Sequence, residues 1–143
     1  MKLDDIHTLW ESDCTINTLN LTEETVRIAK LHAKYSRIYV AEKIVLRKYQ
    51  ADYKVLKLEK EEFLINPTEE KIKSGWKIPA QGRLLKNEVS RYLEGDSDLV
   101  SSELKIGVQH EKVDLLKSIL DQIHVRGYQI KNILEDRRFM NGG

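Results

Sequence analysis

An all-α fold built on two long helices, with short helices beside them, is predicted by three features of the 143-residue chain. The chain is 33% charged and contains only seven Gly and two Pro, a composition typical of mostly helical proteins. Apolar residues recur at helical spacing over most of its length. Helix-breaking residues are confined to a few places, chiefly Asn66-Pro67 and the stretch from Gly75 to Gly82. At this length we expect one domain, or one elongated architecture with a small subdomain.

The N-terminal half is predicted to hold a short helix followed by a very long one. Lys2–Ser12 carries apolar residues at helical spacing, and the polar stretch that follows ends this helix. Thr22 has the side chain of an N-cap for the next helix, with acidic residues in the first turn after it. Nothing then breaks the periodicity before Asn66-Pro67. We therefore expect one helix of about forty residues there.

The middle of the chain is predicted to be irregular, and the C-terminal part is predicted to be a second long helix. Thr68–Ser74 and Leu84–Leu93 are expected to be short helices on either side of the Gly75–Gly82 loop. Caps at 96–98 begin the second long helix, which runs to about Arg138. We expect it to be interrupted at two glycines, Gly107 and Gly127.

By function we divide the chain into three parts. Residues 1–66 comprise an acidic first helix and a long basic helix. Lys and Arg outnumber Asp and Glu by ten to three from Arg27 to Lys60, which makes this part the expected DNA-binding region. Residues 67–95 form a loop and short-helix module. Residues 96–143 form a long helix expected to drive oligomerisation.

Charge is distributed very unevenly along a chain whose net charge is only +1. The segment from Arg27 to Lys60 has a net charge of +7, whereas Met1 to Glu24 has −5. A long basic helix attracts polyanions without regard to sequence, so nucleic acid is the first partner to consider. The alternative is that these cations are ordinary solvated surface. The candidate DNA-binding residues are Lys43, Arg47, Lys48, Lys54, Lys57 and Lys60.

The long basic helix has apolar residues on two sides. The main stripe is the larger one, and a narrower face lies roughly opposite to it. A helix that is apolar on two sides usually packs between two neighbours, and so short a chain has few helices to supply both. We therefore expect a neighbouring protomer to cover the second face. The residues of this narrower face are Val26, Ala33, Val40, Ile44 and Val55.

Apolar residues of the C-terminal helix alternate at spacings of three and four, from Val113 to Leu134. This is the heptad pattern of a coiled-coil-like seam, and flanking apolar residues widen it. A stripe wider than a two-position seam suits a bundle or ring of more than two helices. The residues predicted to build the oligomer are Leu116, Ile119, Leu120, Ile123, Gly127, Ile130 and Leu134.

Four tyrosines alternate with basic residues on the long basic helix, at positions 35, 39, 49 and 53. They could be platforms on which the bases of a single strand stack. They could equally be core residues, because all four fall in or beside the main apolar stripe. Tyr39, at the edge of the stripe, is the best candidate for stacking.

We found no residue pattern that predicts catalysis, a metal site or a cofactor. The histidines have no ligand spacing, the carboxylates occur as surface pairs, and no Gly-rich phosphate loop is present. The single cysteine, Cys14, excludes an internal disulfide and suits a reducing compartment. We expect neither a membrane span nor a signal peptide, because no apolar run is long enough and acidic residues follow Met1. We expect a soluble, cytoplasmic protein that is not an enzyme.

The stretch RGYQIKNILEDRRF, from Arg126 to Phe139, resembles the C-terminal signature of the UvsY recombination mediators of T-even-type bacteriophages. The opening MKLDDI, then DCTIN, then LHAKYS at the start of the long basic helix are similar to that family too. The resemblance covers most of the chain and is weakest from Asn66 to Gly95. In the family, a Lys-x-Arg followed by an acidic and aromatic pair near the end of the long helix is implicated in DNA binding. The nearest counterparts here are Lys57 and Lys60, at a different spacing.

This resemblance implies a non-enzymatic accessory of recombination and repair. Such proteins bind single-stranded DNA, weaken the grip of the phage single-stranded DNA-binding protein and help to load a UvsX-type recombinase. It also implies a ring-like homo-oligomer of about six or seven protomers, assembled through C-terminal helices. The expected location is the cytoplasm of the infected bacterial host. Two alternatives from other classes are an oligomeric helical scaffold without direct DNA binding and a subunit of an enzyme such as a nuclease.

Overall fold

The computed structural model describes residues 1–142 and confirms the all-α fold, because the described residues form helices, turns and loops with no strand. The helices are α1 (Leu3–Asp13), α2 (Leu21–Ile65), α3 (Glu69–Lys73), α4 (Val89–Glu94), α5 (Ser97–His124) and α6 (Arg126–Met140).

Helix α2 is continuous over 45 residues, as the uninterrupted periodicity predicts. Its N-cap lies two residues before the predicted one, Thr22. Asn20 is the N-cap, since its side-chain Oδ1 accepts the backbone N–H of Glu23 at 3.2 Å. The expectation for Thr22 was therefore wrong: Thr22 lies inside the first turn of the helix.

The predicted helix over Leu84–Leu93 is shorter than expected, because α4 begins only at Val89. The backbone N–H of Leu84 donates to the carbonyl of Leu64 at 3.2 Å, which ties this residue to the end of α2. The N–H of Leu85 donates to the Glu88 carboxylate at 3.2 Å. These bonds hold 84–88 in a turn instead of a helix.

The C-terminal helix is interrupted once within the described residues, at Val125, and not at the two glycines we expected. Gly107 lies within α5 and Gly127 within α6. A glycine costs a helix about 1 kcal/mol relative to alanine but keeps its N–H, so packing on either side can carry the helix through it. Asp96 caps α5 as predicted, accepting the N–H groups of Asp98 and Leu99, each at 3.0 Å.

The chain forms two compact units. The first comprises Met1–Ile44 and the chain from Val108 onward. Its core brings together one face each of α1, α2 and α5, with Leu9, Trp10 and Leu120 among the partly buried residues around it. The buried core residues are Ile6, Leu31, Tyr35, Leu116, Ile119 and Ile123.

Polar contacts hold the first unit together where α1 ends. Arg27 donates to the carbonyl of Asp13 at 2.8 Å, and Arg126, the first residue of α6, donates to the carbonyl of Cys14 at 2.8 Å. Elsewhere in this unit, the buried Gln109 donates to the carboxylate of the buried Glu42 at 2.6 Å. The two arginines thus supply hydrogen-bond donors to carbonyls at the C-terminal end of α1, which have no partner within the helix.

The second compact unit is Val45–Gly107. Its core lies between the end of α2, helix α4 and the start of α5, with Tyr53, Leu56 and Ile65 packed against it. The buried residues of this core are Leu64, Leu84, Val89, Leu93 and Leu99.

Candidate nucleic-acid interface

Four of the predicted DNA-binding residues are exposed cations on the part of α2 that belongs to the second unit. They are Arg47, Lys48, Lys54 and Lys57. At 100° per residue, Arg47, Lys54 and Lys57 lie within about 80° of one another around the helix axis. Lys48 lies on the other flank, about 100° from Arg47 and about 180° from Lys57. None of the four has an ion pair or hydrogen bond to another residue of the 1–142 region. We call these four residues the α2 cations.

The absence of internal partners decides what the α2 cations can do. Long exposed side chains can reorient to meet phosphates at little cost, and they need not break an existing ion pair. Lysine and arginine contacts to phosphate carry no base information, so this surface suits a strand of any sequence. Its expected affinity is strongly dependent on salt.

Lys43, the fifth predicted residue, lies in the first unit and is half-buried. Its ammonium nitrogen is 5.1 Å from the centre of the Tyr39 ring, within the range of a cation–π contact. Tyr39 is itself only partly exposed. The pair stabilises the surface of α2 within one unit, and the role of Lys43 toward DNA stays a prediction.

Lys60, the sixth predicted residue, is only 7% exposed. Its Nζ pairs with Asp98 at 2.7 Å and with Asp96 at 3.3 Å. It also lies 4.1 Å from the centre of the Trp76 ring. This corrects the expectation that Lys60 is displayed to solvent: its charge is already compensated inside the second unit, and removing it would leave two carboxylates without their partner.

The tyrosines of α2 are mostly occupied by contacts inside the protein. Tyr35 is fully buried, and its hydroxyl donates to the Asp13 carboxylate at 2.8 Å. The Tyr53 hydroxyl donates to Glu103 at 2.7 Å, which raises the pKa of Tyr53. The Lys105 ammonium lies 4.1 Å from the Tyr49 ring centre. These placements agree with the core interpretation of the tyrosines; stacking of bases on Tyr39 stays untested.

The predicted oligomerisation residues divide into buried and exposed sets. Leu116, Ile119 and Ile123 belong to the core of the first unit, where they pack against α1 and α2. Ile130 is also buried and Leu120 is half-buried, whereas Gly127 and Leu134 are exposed. Packing inside one protomer is thus enough to explain most of the heptad spacing. That the set builds an oligomer stays a prediction.

The narrow apolar face of α2 is left uncovered by the protomer. Within the first unit, Val26 is 65% exposed, Val40 51% and Ile44 59%. Ala33 between them is exposed as well, as is Val55 in the second unit. Several apolar side chains in line on one helix normally mark a surface that something else covers.

A second group of cations was missed by the sequence analysis. Between Lys71 and Arg91 the chain has six Lys/Arg against one acid, Glu88, a net charge of +5. Counting charge in a sliding window would have found this segment. The segment was overlooked because the long basic helix has a larger excess of positive charge, +7 from Arg27 to Lys60.

Metal-ion clusters and membrane-spanning helices are both absent from the residues that the structure describes. No group of three or more His, Cys, Asp or Glu side chains there is arranged to hold a metal ion. None of the helices over residues 1–142 combines the length and apolar character needed to cross a membrane.

Comparison with known proteins gives a family. The sequence pattern of the family described as "Recombination, repair and ssDNA binding protein UvsY" matches residues 9–143. No curated protein sequence matches the chain significantly.

The fold is similar to crystal structures of the bacteriophage T4 recombination mediator protein UvsY. Lattice type II matches with a TM-score of 0.82 and 22% identity, over 99% of both chains. Lattice type I matches with a TM-score of 0.80 and 21% identity, over 95% of this chain and 98% of the other. Lattice type IV has a TM-score of 0.78 and 21% identity, over 98% and 99% respectively. At such identities the structures show the shared fold, and the family pattern, which spans nearly the whole chain, shows that this chain belongs to the UvsY family.

Proposed function

We propose that this protein binds single-stranded DNA without sequence preference and acts as a recombination mediator. In this role it promotes loading of a UvsX-type recombinase in place of the phage single-stranded DNA-binding protein, in the cytoplasm of the infected host. Family membership supports the role, and the single observation that carries it is the set of α2 cations, exposed and without internal partners. The role needs no catalytic step, since it consists of holding a strand and passing it on.

We propose that the DNA-binding form is a homo-oligomer of about six or seven protomers. The uncovered face formed by Val26, Val40 and Ile44 supports a second copy as the neighbour. Each protomer supplies few phosphate contacts, so one protomer alone should bind weakly. Linking several on one assembly raises affinity through effective concentration, without any new kind of contact.

The DNA surface is tested by neutralising all four α2 cations. The variant Arg47→Gln/Lys48→Gln/Lys54→Gln/Lys57→Gln should bind oligo(dT) more weakly. Because each phosphate contact on a single strand contributes about 0.7 to the slope of log K against log salt, the slope should fall by up to about 3. Fluorescence anisotropy at several salt concentrations measures both quantities.

A matched control removes the same charge elsewhere. Lys30→Gln/Lys117→Gln/Lys131→Gln/Arg138→Gln also neutralises three lysines and one arginine, all exposed and in the first unit. We expect this control to keep most of the affinity and slope of the parent. Equal losses in the two variants would mean that net charge, and not the α2 cations, governs binding.

Mediator function is then measured as recombinase assembly on strands already covered by single-stranded DNA-binding protein, which the α2 variant should fail to stimulate.

A further inference from the structure

We propose that the segment from Lys73 to Arg91 is a second contact surface for the phosphates of single-stranded DNA. The inference deepens the proposed function and rests on it. We call this surface the cationic loop, and its members are exposed and lie in the second unit. They are Lys73, Lys77, Arg83, Lys86 and Arg91.

The positive charge of the cationic loop is not compensated from within. None of its five cations forms an ion pair with another residue in the described part of the chain. The one acid in the segment, Glu88, uses its carboxylate to accept the backbone N–H of Leu85 at 3.2 Å. The segment therefore presents five cations to solvent.

Three acids of the same unit are already paired with lysines outside the loop. Glu59 pairs with Lys71 at 3.6 Å, and Asp96 and Asp98 both pair with the buried Lys60. Exposed acids occur on either side of the segment, at Glu70 and Glu94. Between these two acids the exposed cations of the loop face a single acid, the half-buried Glu88, so the field that a polyanion meets there is positive.

Trp76 anchors the loop, so the backbone that carries the cations is ordered before DNA arrives. Its ring meets Phe63 edge-on at 5.3 Å between centres. The ammonium groups of Lys60 and Lys71 lie 4.1 and 4.5 Å from the ring centre. The backbone N–H of Trp76 donates to the Lys71 carbonyl at 3.1 Å. Gly75 turns the chain just before it with φ +105°, a conformation that side chains disfavour.

The far side of the loop is fixed as well. Gly82 donates its N–H to the carbonyl of Pro79 at 2.8 Å, closing a turn, and Leu84 is bonded to the end of α2. A preorganised surface loses less conformational entropy on binding than a flexible one does. Since the cationic loop and the α2 cations belong to one compact unit, a single protomer can combine both sets of phosphate contacts.

The test neutralises four members of the loop and uses oligo(dT) as the probe. We expect Lys73→Gln/Lys77→Gln/Arg83→Gln/Lys86→Gln to lower the slope of log K against log salt by up to about 3. If all four contact phosphate, affinity at about 0.1 M salt should fall by up to several hundredfold. The control is the first-unit variant with three lysines and one arginine changed to Gln, which should retain most of the parent's affinity.

Trp76 supplies an independent readout, because a phosphate bound at Lys77, the next residue, changes the electrostatic environment of the Trp76 ring. In a Trp10→Phe variant, where Trp76 is the one remaining tryptophan, oligo(dT) should change the emission. In Trp76→Phe, emission from Trp10 should stay constant, since Trp10 packs against Tyr35 in the first unit. Comparison of the helical circular dichroism with that of the parent checks that both variants fold.

The outcomes separate this inference from the proposed function. A loop variant that keeps the parent's slope and affinity, while the α2 variant loses both, overturns the loop as a contact and leaves the proposed function standing. Constant Trp76 emission at saturating oligo(dT) also overturns it. A parent protein that does not bind oligo(dT) at low salt overturns both proposals.

Discussion

Asp13 connects several elements of the first unit through single side-chain contacts. Its carboxylate accepts the Lys34 ammonium at 2.6 Å and the Tyr35 hydroxyl at 2.8 Å, while Arg27 and Arg126 bind backbone carbonyls at the same place. Burial alone would raise the pKa of Asp13, but the hydrogen bonds from Lys34 and Tyr35 outweigh it and hold that pKa below its usual value. Burial, and then the bond to Asp13, raise the pKa of Tyr35.

The Arg126 guanidinium has a lowered pKa, first because it is buried and then because Arg27 is close. Arginine remains charged even so, which explains how one residue can bind carbonyls at neutral and alkaline pH alike. Two guanidinium groups side by side are tolerated here because carbonyl oxygens and the buried Glu24 carboxylate lie among them.

Replacing Asp13 by Asn should make stability depend less on pH. A carboxyl whose pKa is lower in the folded state stabilises the fold above its unfolded pKa of about 4, and this stabilisation is lost as pH falls through the folded value. We expect Asp13→Asn to lower the free energy of unfolding by about 1 to 2 kcal/mol at pH 7. The difference should shrink below about pH 4. Urea unfolding at pH 7 and pH 3 measures it, and a difference that is constant with pH would contradict this role of Asp13.

Residue contacts of this kind could not be predicted from the sequence. Arg126 stands in the stretch that resembles the family, yet its partner Cys14 is 112 positions away. Lys60 belongs to the basic helix by composition, and only the fold shows that Asp96 and Asp98 lie against it. Periodicity identifies which face of a helix is apolar, but it does not identify which charged side chains find a partner across the core.

At the level of elements, the sequence predicts which helices exist better than it predicts where each helix begins and ends. The length of α2 follows from the absence of any breaker between Asn20 and Pro67. Its start is ambiguous because both Asn20 and Thr22 are good cap residues. The structure resolves the ambiguity: the backbone N–H of Glu24 donates to the Asn20 carbonyl at 3.2 Å, so the helix has begun by Leu21. The break at Val125 could not be predicted, because valine is not a helix-breaking residue, whereas Gly107 and Gly127 are poor helix formers and were the expected positions.

Removal of the Asn20 cap should destabilise α2, whereas removal of Thr22 should have little effect. Asn20→Ala takes away the acceptor for the Glu23 N–H, a change that costs about 1 kcal/mol in comparable caps. Thr22→Ala changes an exposed residue of the first turn and should stay within about 0.5 kcal/mol. Thermal and urea unfolding measure the loss of stability in each variant. Equal losses of unfolding free energy would contradict the assignment of Asn20 as the cap.

Across the whole molecule, the same helices supply both the protein's own cores and surfaces for other molecules. Helix α2 buries its main stripe and leaves cations and a narrow apolar face exposed. The sequence predicted the two apolar faces correctly. It could not separate the seam residues that fill the protomer core, such as Ile119, from those open to another chain, because both obey the same spacing. The heptad pattern predicts that these residues are buried, but it does not predict whether the same protomer or another one covers them.

The exposed apolar face of α2 should hold the oligomer together. Val40→Asp/Ile44→Asp places two charges on a surface that another protomer would desolvate, so dissociation costs less free energy than burying them. Both residues are more than half exposed, and we expect the protomer to keep its helical content and unfolding temperature. Light scattering should show a lower mass. Affinity for oligo(dT) should fall with it, although neither substitution removes a cation, because linked protomers share one strand.

Ile119→Ala is the matched comparison for this prediction, since it alters a seam residue buried within the protomer. Creating a cavity there should lower the free energy of unfolding by about 2 to 5 kcal/mol, so the loss appears as protomer stability and not as a specific change in mass. If Val40→Asp/Ile44→Asp keeps the parent's mass, another surface forms the oligomer, and exposed positions of α6 such as Leu134 become the next to test. If the variant dissociates yet binds oligo(dT) as tightly as the parent, avidity is not how the protein holds DNA, and each protomer's own cations must suffice.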